Sequence, residues 1–209
     1  MVKVYFVRHG ETFLNVECRL AGQIETELTE NGKKQADETG KKLFEMGVEP
    51  DVILCSPYKR AVNTAGFINQ YLRAPIEYKE DLKEINFGDC EGVHIDEVKK
   101  MVFNPPYVCG EFVMHDGVDL RRLHDSFDQK YNCIAHPNGE SKEQARNRFS
   151  KVISLYLDEH KDIKTLLIVA HGSVMRNLFL QVAPHMIKEK IKNGQVLMLN
   201  YETGKGFFA

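Results

Sequence analysis

Val4-Tyr5-Phe6-Val7-Arg8-His9-Gly10-Glu11-Thr12 is a β-branched and aromatic apolar run closed by an Arg-His-Gly turn. The run reads as a buried strand, and the glycine behind it lets the chain turn sharply where the strand ends. Arg8 and His9 then fall at the carboxyl edge of a sheet, where open α/β folds place their ligands. Residues 165–172, Thr-Leu-Leu-Ile-Val-Ala-His-Gly, repeat the device. With the two strands as neighbours, His9 and His171 face one crevice beside Arg8. A lone strand-end histidine is more often a hydrogen-bonded residue of no catalytic interest. Two such ends with an adjacent cation favour an anion-binding pocket instead.

Two further segments point the same way. Val52–Cys55 form a short apolar strand running into Ser56-Pro57, which read as N-cap and first helical residue, with Arg60 in the first helical turn. A helix N-terminus and a guanidinium pointing together suit phosphate, whereas the ordinary alternative is a surface arginine on an exposed helix face. In Asp81-Leu-Lys-Glu-Ile-Asn-Phe-Gly-Asp-Cys-Glu-Gly92, Glu84 sits beside Ile85 and Phe87. A carboxyl desolvated there has the raised pKa that a general acid needs at neutral pH, although a chain with 30 acidic residues offers many solvated carboxylates.

The remaining pattern alternates. Residues 29–46 read as a helix capped by Thr29 and stopped by Gly47, with Ala36, Leu43 and Phe44 facing inward. A second helix runs from Arg60 to about Arg73, and Ile76–Tyr78 are a short strand. Ser141 and Gln144 form a capping box ahead of a helix carrying Phe149, Val152, Ile153 and Tyr156. Strand 166–170, helix 173–183 and strand Gln195–Tyr201 follow. The pattern predicts a three-layer α/β/α sandwich with a mainly parallel sheet, in a single domain spanning residues 1–209. Residues 93–138 break the rhythm with Pro105-Pro106, Gly110, Gly117 and the histidines His115, His124 and His136. They read as an inserted cap. Its Arg121-Arg122 pair either contacts a second anionic group of the substrate or, more ordinarily, is a solvated charge pair.

A formal net charge of -2, without a basic tail or stripe, argues against nucleic-acid or anionic-membrane partners, and the lysines at 188–192 read as a solvated helix face. The first strand starts too early for a leader segment, and the sequence holds no apolar stretch long enough to span a bilayer, so the expected location is cytoplasmic. Cys18, Cys55, Cys90, Cys109 and Cys133 form no close pair and are odd in number, which suits a reducing compartment. No paired-cysteine motif or His-Glu-x-x-His suggests zinc, so no metal or cofactor is expected. Oligomeric state is not readable, and a homodimer is compatible with the sequence.

Arg8-His9-Gly10-Glu11-Thr12 with Asn15, Leu28-Thr29 and Gly32 with Gln35-Ala36, Ser56-Pro57 and Arg60-Ala61 with Thr64-Ala65, Glu84 with Phe87-Gly88 and Glu91-Gly92, Pro137 with Gly139-Glu140-Ser141, and Val169-Ala170-His171-Gly172 together resemble the histidine phosphatase superfamily, also called phosphoglycerate mutase-like. The resemblance spans nearly the whole chain and implies a phosphoglycerate mutase-like fold and a phosphohistidine intermediate on His9. It also implies that Arg8, Arg60, His171 and Asn15 surround the transferring group, that Gln23 and Gly172 complete the binding set, and that Glu84 protonates the leaving oxygen and then activates water. Fixed cationic donors stabilise the spread charge of such an in-line transfer without a metal. Two departures stand out. Glu25 replaces an often-present Asp, and Asn86-Phe-Gly-Asp-Cys-Glu-Gly92 stands where mutases carry a Tyr-Gly-containing and Gly-Leu-Asn-Lys-like stretch. Residues 86–92 thereby resemble the phosphatase branch. The leading expectation is a metal-independent phosphomonoesterase acting on a small phosphorylated metabolite, the alternative is a phosphoglycerate mutase, and a catalytically inactive phospholigand-binding module is the third.

Overall fold

Strand β1 (Val2–Arg8) alternates cleanly, burying Val4 and Phe6 on one side and Val7 on the other. In the computed structural model, which describes residues 1–98 and 138–209, the chain continues through α1 (Phe13–Val16), α2 (Glu30–Glu45), β2 (Val52–Cys55), α3 (Lys59–Leu72) and β3 (Ile76–Tyr78). After residue 138 come α4 (Lys142–Glu159), β4 (Thr165–Ala170), α5 (Gly172–Val182), β5 (Val196–Glu202) and β6 (Gly206–Phe208). The sheet order is β3-β2-β4-β1-β5-β6. The first four are mutually parallel, and β5 and β6 add an antiparallel hairpin at one side.

Each face of the sheet has its own core. Val7, Ile53, Cys55, Leu167 and Val169 pack against Leu43 of α2 and Ala61, Ala65 and Ile68 of α3. Val4, Phe6, Leu54 and Ile168 pack against Phe149 and Ile153 of α4 and Val174, Leu178 and Phe179 of α5. Period-2 alternation in the strands thus feeds two helical layers, which is the expected three-layer mixed α/β architecture. Thr29 caps α2 and Ser141 with Gln144 caps α4, both as the sequence indicates.

Several local readings are corrected. Phe44 is 62% exposed, because the buried stripe of α2 runs through Gly32, Ala36, Thr39, Gly40 and Leu43 and leaves its neighbour a third of a turn away. Residues 188–192 are not helical, and Ile191 among them is buried. Strand β5 starts at Val196 rather than Gln195 and runs antiparallel, and β6 is too short to show a period in the sequence. Of the irregular stretch, residues 93–98 are described: His94 pairs with Arg19 and Val98 joins the core. Arg121, Arg122, His115, His124, His136, Cys109 and Cys133 lie outside the described residues.

Gly10 is needed for clearance and not for a left-handed turn, since its φ is not positive. A Cβ on Gly10 would stand 2.2 Å from the Gly32 carbonyl oxygen, and one on Gly32 would stand 2.0 Å from that of Glu11. The loop behind β1 therefore lies directly on the first turn of α2. Glu11 fastens it further, donating its N–H to Gln35 and accepting from Thr29 N–H. Gly32→Ala should lower stability by about 2 kcal/mol or more through overpacking. Gly66→Ala, at an exposed helical site with open space around it, should raise it by about 0.5–1 kcal/mol. Urea unfolding midpoints check both, and equal effects would contradict the close contact.

Candidate active site

Strands β1, β4 and β2 are adjacent and end level with one another, Arg8 opposite Ala170 and Cys55 opposite Val169. The next residues therefore emerge side by side at the carboxyl edge: His9 after β1, His171 after β4, and Ser56 after β2. His9 N–H still bonds the Ala170 carbonyl and Ser56 N–H that of Val169, so the ladder holds both turns. The two imidazoles, both buried, lie 5.2 Å apart between centroids.

Their hydrogen bonds define opposite tautomers. His9 Nδ1 is 2.7 Å from the Gly10 carbonyl oxygen, which only accepts, so Nδ1 carries the proton and Nε2 keeps its lone pair. His171 Nδ1 accepts from Arg60 Nε at 3.2 Å, so in the neutral ring Nε2 holds the proton and donates it to Ser56 Oγ at 2.7 Å. Both rings are neutral. Burial, then the Arg8 and Arg60 charges, push His9 well below the usual histidine value, and burial with Arg60 does the same to His171.

Arg60 is fully buried, which removes the surface reading. Its guanidinium donates to the carbonyls of Ile24 at 2.8 Å, Gly22 at 2.6 Å and Ala21 at 3.3 Å, besides His171. It therefore holds loop 21–24 against the pocket with most of its donors. Arg8 Nη1 donates to the Ile191 carbonyl at 2.6 Å, while Arg8 Nε is buried without a hydrogen-bond partner among the described residues. A Cβ on Gly172 would come within 2.9 Å of that Nε, so this position at the head of α5 leaves room for the guanidinium. Burial lowers both arginines, and the nearby Glu84 charge opposes the shift in each.

Glu84 is buried as expected, but among amides as well as apolar groups. Its Oε1 accepts from the N–H groups of Ile85 at 2.9 Å and Val174 at 2.8 Å, and its Oε2 from Ser173 N–H at 2.8 Å. The carboxyl thus sits on the N-terminus of α5, one residue beyond His171 and Gly172. Asn15 uses Oδ1 to accept from Thr12 N–H and from Asn193 Nδ2. Gln23 is exposed, with its N–H held by Glu91.

Ser56 does not cap α3. Tyr58 is the cap residue and makes no side-chain cap bond, while Glu25 accepts the Lys59 N–H at 3.2 Å. The buried imidazole takes the Ser56 hydroxyl, and Glu25 fills the capping role expected of Ser56. Asn193, Thr64 and Glu91 also matter to the site, although sequence patterns alone assign them no individual role. Asn193 Nδ2 donates to the His9 carbonyl at 3.0 Å, Thr64 Oγ1 accepts from Gly10 N–H at 3.0 Å, and Glu91 accepts from Gly22, Gln23 and Phe87 N–H groups. Thr64 and Glu91 are visible in the sequence only as motif letters, and Asn193 only as part of an Asn-Gly turn.

Among the described residues, no three His, Cys, Asp or Glu side chains converge as a metal site requires, and no helix is long and apolar enough to cross a membrane. The sequence matches the histidine phosphatase superfamily (branch 1) over residues 4–107 and 115–209. It is 30% identical over 183 residues to an uncharacterized phosphatase, PhoE, of Bacillus subtilis, covering 88% of this chain and 78% of that one. It is 27% identical to a 2,3-bisphosphoglycerate-dependent phosphoglycerate mutase of Pelagibacter ubique, covering 98% and 87% of the two chains. A phosphoglycerate mutase structure from Bacillus anthracis superposes with a TM-score of 0.82 at 25% identity, covering 97% of this chain and 89% of that chain.

The two imidazoles should give opposite ¹⁵N signatures at about pH 6, where an unperturbed histidine is mostly charged. His9 should appear as the neutral Nδ1–H form and His171 as the neutral Nε2–H form. An imidazolium signal from either ring, assigned by its Gln variant, would refute this electrostatic picture.

Proposed function

The chain belongs to branch 1 of the histidine phosphatase superfamily, and from that premise we propose that it is a metal-independent phosphomonoesterase acting on a small phosphorylated metabolite. The observation that carries this reading is the His9 ring, held toward the neutral form and anchored through Nδ1, beside an Arg8 Nε–H that has no partner among the described residues. A neutral imidazole with a fixed lone pair is a nucleophile, and a desolvated cationic donor next to it stabilises charge on a transferring phosphoryl group.

In the proposed reaction His9 Nε2 attacks phosphorus as the bond to the leaving oxygen breaks. Arg8, Arg60 and His171 bind the phosphoryl oxygens, His171 by turning its Nε2–H from Ser56 to the substrate, and Asn15 contributes its NH2, the end not used by Thr12 and Asn193. Gln23, from the loop that Arg60 holds, and Gly172 at the head of α5 complete the binding set. Glu84 passes its proton to the leaving oxygen, which departs as an alcohol. Oε1 has both lone pairs engaged by amides while Oε2 has one, so Oε2 is the oxygen with a lone pair free to exchange a proton in this step. Water then attacks phosphorus, gives its proton to Glu84, and releases phosphate as the Nε2–P bond breaks.

A second reading, phosphoglycerate mutase, is favoured by the likeness to mutases over nearly the full chain. It needs the same pocket but must return the phosphoryl group to the sugar acid and not to water. The segment Asn86–Gly92 speaks for hydrolysis, since it lacks the stretch that mutases carry there.

Purified protein in excess chelator, given 3-phosphoglycerate, an aryl phosphate and a panel of metabolite phosphates, separates these readings. Release of phosphate that is lost in His9→Ala is the expected result, whereas isomerisation to 2-phosphoglycerate without net release would replace it with the mutase. Glu84→Gln should slow the single-turnover transfer from alkyl phosphates to His9 by roughly 10²–10⁴-fold while changing transfer from an aryl phosphate, whose leaving group needs little protonation, only a few-fold. Equal slowing of both substrates would remove Glu84 from the acid role.

A further inference from the structure

Glu84 lies on a segment that belongs to no helix or strand. Residues 83–87 run between the single turns Glu80–Leu82 and Gly88–Cys90, outside every ladder of the sheet. One guanidinium meets three main-chain carbonyls at and just before the start of this stretch. Arg148 Nη1 donates to the carbonyls of Asp81 at 2.7 Å and Lys83 at 3.1 Å, and Nη2 to the carbonyl of Glu84 itself at 3.3 Å. Its remaining donors form a two-pronged pair with Glu140, Nε to Oε1 at 2.9 Å and Nη2 to Oε2 at 2.8 Å. All five N–H groups of the fork are thereby used.

Glu140 completes the clamp. Its Oε2 accepts the Asn86 N–H at 2.9 Å, and its own N–H donates to the Asn86 carbonyl at 2.8 Å. Gly139 makes room for this, since a Cβ there would stand 2.4 Å from the Asn86 carbonyl oxygen. Arg148 projects from α4, next to Phe149, which is fully buried in the core, so the clamp is referred to a rigid body. Burial pushes the Glu140 carboxyl up, but Arg148 and the Asn86 amide more than offset this and hold it below the usual range. Seen from Glu84, the carboxyl is fixed by the amides of α5 and the backbone by α4.

We infer that Arg148, oriented by Glu140, is a positioning residue for the proposed proton donor, setting where the Glu84 carboxyl stands relative to the leaving oxygen. A guanidinium is required because three carbonyls and one carboxylate must be met in a single plane. A lysine, with one compact ammonium, meets at most part of that set. The inference rests on the acid role proposed for Glu84, and a displacement of about 1 Å in such a group suffices to cost on the order of 10²-fold in rate.

The test compares Arg148→Lys, Glu140→Gln and Glu84→Gln, singly and as the Arg148→Lys/Glu84→Gln pair. Each is assayed on an alkyl phosphate and an aryl phosphate after circular dichroism and urea unfolding establish that it is folded. The expected result for Arg148→Lys is a loss of about 10-fold to 100-fold in the single-turnover transfer rate from the alkyl phosphate, with the aryl transfer rate within about threefold of the parent. Added to Glu84→Gln, the Arg148 change should then cost nothing further on the alkyl phosphate. Equal losses on both substrates, or losses that multiply with those of Glu84→Gln, would assign Arg148 to general stability and overturn the inference. If Glu84→Gln itself shows no leaving-group dependence, the acid role and the inference fall together. If Glu84→Gln shows it and the Arg148 and Glu140 variants do not, only the inference falls. Should Arg148→Lys fail to fold, Glu140→Gln, which keeps the fork and one carbonyl acceptor, carries the same comparison.

Discussion

Setting a fully buried Arg60 and a partly buried Arg8 beside His9 and His171 takes much of two cations out of water in each other's company, a cost of several kcal/mol per fully buried ion unless acceptors and counter-charge are built around them. The surrounding structure is largely that provision. Arg60 receives the carbonyls of a loop, residues 21–24, whose amides Glu91 holds from the other side, and Arg8 receives Ile191. Glu84 supplies the nearby negative charge that both guanidiniums register. Because arginine does not give up its proton in a protein, the imidazoles yield instead: burial first, then the guanidinium charges, hold both well below the usual histidine value. The neutral state of His9 thus follows from its own burial, reinforced by the guanidiniums beside it.

Sheet geometry decides which residues share this burial. Strands β1, β4 and β2 stop at the same level, so three separate stretches of sequence meet with almost no intervening loop. The turn after β1 is then fixed from three sides: glycine against the first turn of α2, Gly10 N–H on Thr64, and the His9 carbonyl on Asn193. Most of these contacts involve the main chain, which places an imidazole more reproducibly than flexible side chains would.

That division explains what is readable in the sequence. The strand runs 4–7 and 165–170, their His-Gly ends and the caps at Thr29 and Ser141 are local patterns with local causes, and each appears where the sequence puts it. Where a competing partner comes from far along the chain, local reasoning fails. Ser56 has the composition of an N-cap, but a buried imidazole from residue 171 claims its hydroxyl and a carboxylate from residue 25 claims the helix amide. Gly10 invites a turn argument, but its reason is the backbone of residue 32. The lysines at 188–192 suggest a solvated helix because the pull of Arg8 and the core on Ile191 leaves no periodic trace. Glu140 and Arg148 are ordinary charged residues in sequence, and only the fold reveals that they converge on the Glu84 main chain.

The pocket thus has two frames that meet at the start of α5. One, built from β1, β2 and β4, carries His9, His171 and the arginines, and is held by the sheet ladder. The other, residues 81–92 with 138–148, carries Glu84 and is held by side-chain clamps, Glu91 on one flank and Arg148 with Glu140 on the other. Asn138, where the described chain resumes, donates to Asp89 within this second frame. In the proposed reaction, phosphoryl binding belongs to the first frame and protonation of the leaving group to the second. A change in the second frame can therefore alter which leaving groups are served while the nucleophile keeps its place, and such separation suits a fold whose relatives bear the names of both phosphatases and mutases.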